Sequence, residues 1–251
     1  MDRFQTLDIS GWEAAIYGMR APLKSYSKFD SETLCKIKND SVFQGFSFGD
    51  KDYQLASKLV KAGPEHRKWM RQIQVWVKIS MPLYWWSEFD TYKIGTSANS
   101  ESTMHTLAKR NLVWEDFDTE YMDEIGKEVQ VAALRRINQA LVRYNITVDE
   151  IKKLKEELAN PFSSDTDNFD IDEIESKIAI LEIEKQKEFI SLKSLVTTSF
   201  IQTRYVNLNY EVLHNMYHQR KNHRLPQWSK DFVSWVETLP YSEFITEKFD
   251  N

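Results

Sequence analysis

The sequence predicts an α+β domain with a small sheet and an excess of long helices. Glycine supports the helical excess, because the chain has only 7 in 251 residues, against roughly 18 at average usage. None follows Gly126, and glycine is the usual residue of tight turns and helix C-termini. Residues 72–80 alternate apolar and polar side chains, as a half-buried strand does. A single domain over residues 1–251 is the simplest prediction.

Short elements are predicted at the start of the chain. Residues 1–10 can hold a strand and Gly11–Arg20 a short helix. Residues 21–49 are polar, with clusters of Ser, Asp and Gly, so we expect a surface loop there. Asp50 is placed to cap a helix that ends before Gly63.

An aromatic helix should follow strand 72–80. Pro82 stands where a helix commonly begins, and Gly95 where this one should end. The segment between them contains four aromatic residues that we single out: Trp85, Trp86, Phe89 and Tyr92. Such side chains fill a core or an interface more often than they stack on bases or flavin rings.

Two helical stretches predict an antiparallel arm over about residues 119–198. The first is a helix over 119–143, extended by a second helix that Thr147 opens with capping-box spacing to Glu150. A turn-rich break at 160–168 precedes a long amphipathic pattern from 171 to 195. The arm could pack against another subunit or against its own domain.

Three more elements complete the predicted order. Residues 199–208 are strand-like in composition. Asn209 can cap a helix that runs to Asn222, and Pro226 can start a last helix that ends near Leu239.

Composition excludes several classes of function. The net charge of −5 argues against a dedicated nucleic-acid binder, which usually has a basic face. Cys35 is the single cysteine, so one chain can form neither an intrachain disulfide nor a cysteine-based zinc site. The chain lacks a Rossmann fingerprint and a P-loop. It shows no signal peptide and no apolar run of membrane-spanning length, so we expect a cytoplasmic protein.

Three histidines near the C-terminus form a candidate metal site. His214 and His218 are four residues apart on a predicted helix, and His223 lies close by. This spacing places two imidazoles on one helix face, as in many metal sites. No carboxylate or cysteine with ligand spacing accompanies them in the sequence, so surface histidines are the simpler interpretation and we expect no metal.

Two polar segments could bind phosphate. Residues 97–105 are dense in hydroxyl and amide groups, which can face a phosphate or simply cap a helix. Arg220 could hold a carbonyl or a phosphate, although a lone helix arginine is most often a solvated charge.

Taken together, these segments resemble the flavin-dependent thymidylate synthase family, ThyX. Ser97, Asn99 and Ser102 reproduce the S-x-N-x-x-S core of its signature. Asn215 and Arg220 match a family N-x-x-x-x-R pair on a helix. Asn209 matches the asparagine that opens that helix, and Lys193 stands where the family has a phosphate-binding arginine.

The resemblance implies a function in pyrimidine nucleotide metabolism. ThyX enzymes methylate dUMP with methylenetetrahydrofolate, FAD as hydride carrier and NADPH as reductant, in a homotetramer whose active site lies between subunits. By resemblance, Arg220 would be catalytic. Nucleotide-binding roles would fall to Ser102, Asn99 and Lys193, and cofactor-binding roles to Ser97, Tyr92, Lys93, Asn209 and Asn215.

The sequence departs from the family at its flavin clamp. Tyr92, Lys93 and Ile94 stand where ThyX has R-H-R, and Met104 and His105 replace an R-Y pair. FAD is therefore an expectation from the family rather than from these residues, and whether the protein is an enzyme stays open. A nucleotide- or protein-binding protein that has lost the flavin site is the main alternative, and a structural protein of a virion is a third hypothesis.

Other segments are similar to uncharacterised proteins of phages and prophages of Gram-positive bacteria. These segments include MPLYWWSEFDTYKIG and NMYHQRKNH. This resemblance implies a viral origin and the host cytoplasm, and it implies no chemistry.

Overall fold

The computed structural model describes residues 3–38, 41–160 and 170–249 and confirms the α+β class. The chain divides into two compact units. Unit 1 comprises Met1–Ser80, Trp85–Ser100 and Thr203–Asn251, and unit 2 comprises Met81–Tyr84 and Glu101–Gln202. The single domain over 1–251 stays a prediction.

The described strands and helices follow in a mixed order. The strands are β1 (Phe4–Ser10), β2 (Glu32–Lys38), β3 (Ser41–Ser47), β4 (Gln74–Pro82), β5 (Thr96–Ser100) and β6 (Ile201–Asn209). The α-helices are α1 (Trp12–Gly18), α2 (Asp50–Lys61), α3 (Leu83–Phe89), α4 (Thr103–Thr106), α5 (Glu124–Ala159), α6 (Ile171–Leu195), α7 (Tyr210–Arg220), α8 (Val233–Glu237) and α9 (Glu243–Thr246).

The main sheet has the order β1-β4-β6-β5. β1 is antiparallel to β4, and β5 is antiparallel to β6. The predicted apolar face is confirmed, because Ile73, which directly precedes β4, and Val75, Val77 and Ile79 within it are each at most 1% exposed. The strands predicted at 1–10 and 199–208 are confirmed as β1 and β6.

The predicted loop over 21–49 is wrong. Residues 32–38 and 41–47 pair antiparallel as β2 and β3, with Leu34 opposite Gly45. This hairpin forms a sheet of its own, and its strands pair with each other rather than with the main sheet. Phe46 stacks on Trp12 with the ring centroids 5.6 Å apart, which anchors the hairpin to α1.

The predicted cap of α2 is also wrong. Gly49 is the N-cap residue and Asp50 is already helical. The orphan N–H groups of Lys51 and Asp52 donate to the carboxylate of Asp30, each at 3.0 Å. A remote residue therefore replaces the local cap. Gly63 follows the helix with φ 107° as predicted.

Pro82 does not open the aromatic helix. It is the last residue of β4, and α3 ends at Phe89 rather than near Gly95. Trp85 is fully buried and stacks on Trp228 with a centroid distance of 4.2 Å. Trp86 is 1% exposed, so these two tryptophans belong to the core of unit 1.

The helical arm of unit 2 is simpler than predicted. α5 runs unbroken from Glu124 to Ala159, so the second helix start at Thr147 is wrong. The Thr147 hydroxyl donates to Glu188 of α6 at 2.9 Å and also lies 3.3 Å from the Arg143 carbonyl, and it caps no helix. α6 confirms the long helix, and its contacts with α5 run antiparallel. The break predicted at 160–168 begins at Asn160, the residue after α5, and its remaining residues lie outside the described part of the chain.

α7 begins as predicted. The Asn209 side chain accepts a hydrogen bond from the Val212 N–H at 3.0 Å, which is N-cap geometry. The last predicted helix is shorter and less regular, since a π-helix (Gln227–Phe232) follows Pro226 and leads into α8.

Candidate functional site

Arg220 lies in unit 1 at the end of α7, among aromatic and charged side chains. Its Nε donates to the Tyr92 hydroxyl at 2.8 Å and its Nη1 donates to the Glu88 carboxylate at 2.8 Å. The guanidinium also lies 4.8 Å from the Trp228 ring centroid, within cation–π range. The Arg220 charge is therefore already neutralised within unit 1.

Glu88 is the residue of this cluster that the sequence analysis missed. Its carboxylate lies 2.8 Å from Arg220 Nη1 and 3.3 Å from His223 Nε2. Tyr92 extends the cluster by donating its hydroxyl hydrogen to Gln219 Oε1 at 2.8 Å. Because α3 and α7 are far apart in sequence, no local spacing indicated that Glu88 would pair with Arg220.

The turn after α3 brings several predicted cofactor residues to one place. Lys93 is exposed and Ile94 is 91% exposed. Gly95 has φ 76°, and a Cβ atom there would lie 3.0 Å from the Asn209 side chain. Only glycine fits this close approach to α7. The structure therefore places Gly95, which follows Tyr92 and Lys93, beside Asn209 and gives Asn209 a structural role as the helix cap.

The other predicted residues of unit 1 are solvent-facing. Ser97 and Asn99 lie on the edge strand β5, opposite Asn207 and Tyr205, and both are exposed. Asn215 is exposed on α7, with its Oδ1 3.5 Å from Arg67 Nη2. No contact in the described part of the chain joins Ser97, Asn99 or Asn215 to the Arg220 cluster.

Unit 2 holds the remaining predicted nucleotide residues. Ser102 precedes α4, and its carbonyl accepts hydrogen bonds from the N–H and the hydroxyl of Thr106. Lys193 of α6 donates from Nζ to the Thr103 hydroxyl. The structure thus brings Lys193 to the residue after Ser102, across 90 positions of sequence. Thr103 was missed as a contact of Lys193 because only the fold brings them together.

No protein-family model matches the chain, and no curated protein matches it by sequence. It is similar in structure to ThyX from Helicobacter pylori, solved with FAD and dUMP, with a TM-score of 0.55, 13% identity, and 98% of this chain and 97% of that chain covered. A second structure of that ThyX, also with FAD and dUMP, gives a TM-score of 0.54 at 13% identity and covers 98% of both chains.

This chain has a ThyX-like fold. The resemblance stated from the sequence is therefore confirmed at the level of the fold. At 13% identity, the similarity leaves the activity to be argued from the residues.

The residues of this ThyX-like chain do not fit the flavin clamp of the family. A diphosphate-bearing cofactor such as FAD calls for cationic donors, and the segment Tyr92-Lys93-Ile94 supplies one ammonium group. Ile94, which stands for an arginine, exposes an apolar side chain, and Arg220 is ion-paired with Glu88. These donors therefore do not reproduce the flavin clamp of the family.

Among the described residues, no helix combines the length and the apolar character that crossing a membrane requires.

Proposed function

We propose that this ThyX-like chain binds a pyrimidine nucleotide and that Ser102, Thr103 and Lys193 hold the phosphate. The observation that carries the proposal is the hydrogen bond from Lys193 Nζ to the Thr103 hydroxyl. This bond joins one cation to the Thr103 hydroxyl, and Ser102 is the preceding residue in the chain. The two similar ThyX structures contain dUMP, which supports a pyrimidine nucleotide as the ligand class.

The chemistry of these groups suits a phosphate. A lysine ammonium has three donors, so Lys193 can keep Thr103 as a partner and still donate to a phosphate oxygen. Hydrogen bonds between ionised groups and hydroxyls are stronger than those between neutral groups. Ser102 and Thr103 are each partly buried, which limits the competition from water. Arg220 is less available to bind the phosphate, because it is already ion-paired with Glu88.

Titration calorimetry with dUMP tests the proposal. We expect wild type to bind dUMP and Lys193→Ala to lose at least tenfold in affinity, since one charge-assisted contact contributes about 1.5–3 kcal/mol. Lys187→Ala is the matched control, because Lys187 is an exposed lysine on the same helix. Equal affinity in the Lys193 and Lys187 variants, or no binding by wild type, would refute the assignment.

Flavin-dependent methyl transfer to dUMP is the finer proposal. FAD in the similar ThyX structures supports it, and the altered clamp speaks against it. Mass spectrometry of molecules released from the denatured protein separates the alternatives. Stoichiometric FAD would favour the enzyme, and a nucleotide without flavin would favour the binder. The homotetramer, the phage origin and the host cytoplasm remain predictions from resemblance.

A further inference from the structure

We propose a second site in unit 1, a transition-metal site formed by His214, His218 and Glu247. Each of these side chains offers one donor atom, and the three donor atoms lie within 4.8 Å of one another. His214 and His218 lie one turn apart on α7, and Glu247 follows α9. The site is independent of the proposed phosphate site, which lies in unit 2.

Unpartnered nitrogen atoms are the first observation. His214 is 6% exposed, and its Nδ1 is buried without a hydrogen-bond partner in the described structure. His218 Nε2 is also buried without a partner there. Buried polar atoms are almost always satisfied, so two orphan imidazole nitrogens in adjacent rings need an explanation. A metal ion supplies one.

The orientation of His218 is the second observation. The backbone of Ile245 acts on the His218 pKa as a hydrogen-bond partner, and because Nε2 has no partner in the described structure, Nδ1 is the nitrogen available for that contact. An Nδ1–H that donates to a carbonyl fixes the tautomer and leaves a lone pair on Nε2. Metal-ligating histidines are commonly held in this way by a backbone carbonyl.

Glu247 supplies the negative ligand that the local sequence lacked. Its Oε1 lies 2.8 Å from His214 Nε2. The chain turns at Glu247 with φ 58°, a left-handed conformation that is uncommon for a residue other than glycine. That turn directs the carboxylate back to α7 from 33 positions away.

The charges around the cluster permit a cation. Arg67 Nη1 lies 3.6 Å from Glu247 and 3.1 Å from His214 Nε2, but Arg67 is also paired with Glu211 at 2.9 Å. Lys221 also acts electrostatically on His218, so with neutral imidazoles the cations Arg67 and Lys221 and the two glutamates sum to a charge of zero. A divalent ion is therefore not opposed by a net positive cluster, and Arg67 must shift away from His214 only if the metal uses Nε2.

The ligand types favour Zn²⁺ or a similar first-row ion. Two imidazoles and a carboxylate form a common three-ligand zinc set with an open fourth position. Bonds of about 2.1 Å require tetrahedral donors about 3.4 Å apart, so the side chains must move inward by about an ångström. Glu247 can do so because its side chain is 41% exposed.

Metal loading of the full, untagged chain tests the site. After dialysis against Zn²⁺, we expect one zinc per chain by elemental mass spectrometry and a rise in the thermal midpoint. His218→Gln should weaken zinc binding at least tenfold, whereas His66→Gln should leave it unchanged, because His66 is an exposed histidine outside the cluster. Co²⁺ in place of Zn²⁺ should give the visible absorption of tetrahedral cobalt in wild type.

Two outcomes would overturn the proposal. One is a wild-type chain that retains no zinc after loading. The other is a His218→Gln variant that binds zinc as wild type does. Should His218→Gln fail to fold by circular dichroism, Glu247→Gln decides the question, since its exposed carboxylate is not needed for the core. Unchanged zinc affinity in a folded Glu247→Gln protein likewise contradicts the site.

Discussion

Replacing Asp52 by asparagine should strongly destabilise unit 1. Asp52 is fully buried, and its Oδ1 accepts a hydrogen bond from Arg20 Nε at 2.5 Å. Its Oδ2 accepts three more, from the Asp30 N–H at 2.9 Å and from the Ser31 N–H and hydroxyl at 2.9 and 2.7 Å. The asparagine keeps the shape of the side chain but removes its charge.

The magnitude follows from what the substitution leaves behind. Arg20 is 3% exposed and its Nη2 already lacks a partner in the described structure, so it would become a buried charge without a counter-ion. Removing one partner of a buried pair costs about 3–5 kcal/mol. We therefore expect Asp52→Asn to lower the free energy of unfolding by about 4 kcal/mol, or the thermal midpoint by roughly 8–16 °C.

Urea unfolding followed by tryptophan fluorescence measures this effect. The chain has 8 tryptophans, and all but Trp114 lie in unit 1, so the signal reports mainly on that unit. Glu13→Gln is the control, because among the described residues the Glu13 carboxylate accepts one exposed hydrogen bond, from Thr33 in the same unit. A cost for Asp52→Asn within about 1 kcal/mol of that control would refute the reasoning.

Two further predictions concern unit 2. Asn138→Ala should lower the free energy of unfolding, measured with urea, by about 1–3 kcal/mol, because the Asn138 side chain pairs with both the N–H and the C=O of Leu112. Arg135→Ala, at an exposed neighbouring residue, is the control and should lower it by less than about 0.5 kcal/mol. Equal losses in the two variants would contradict this role of Asn138. Burial raises the pKa of Asp116, but Arg110 and a backbone N–H outweigh it and hold that pKa below its usual 3.8. The stabilisation is therefore present above about pH 4 and lost as the pH falls through the folded-state pKa. The stability difference between wild type and Asp116→Asn should shrink from pH 7 to pH 3, and a difference that grows would show the sign to be wrong.

The sequence correctly predicted elements that depend on a neighbouring cap residue or on one buried face. The alternation of residues 72–80 marked the face of β4, and Asn209 marked the start of α7. The same reasoning failed at Thr147, because a threonine hydroxyl can bond to the carbonyl four residues earlier as readily as it caps a helix. It also failed for the hairpin of β2 and β3, whose strands pair with each other rather than with the main sheet.

The candidate sites depend on pairs that no spacing reveals. Glu88 reaches Arg220 across 132 positions, Lys193 reaches Thr103 across 90, and Glu247 reaches His214 across 33. The sequence named Arg220, Lys193 and His214 as candidates and included Thr103 only within the polar segment 97–105, and it gave no sign of Glu88 and Glu247. Both are glutamates, and in a chain with many charged residues nothing in the sequence indicates which residue a given glutamate contacts.

Arg220 is already ion-paired with Glu88. Any ligand whose carbonyl or phosphate approaches Arg220 must compete with a carboxylate that is already 2.8 Å away. His223 lowers that barrier, because its Nε2 lies 3.3 Å from the same carboxylate and can retain it after Arg220 turns away. A ligand that binds Arg220 would then leave Glu88 with the His223 imidazole, so Arg220 would hold only ligands that bind it more tightly than Glu88 does.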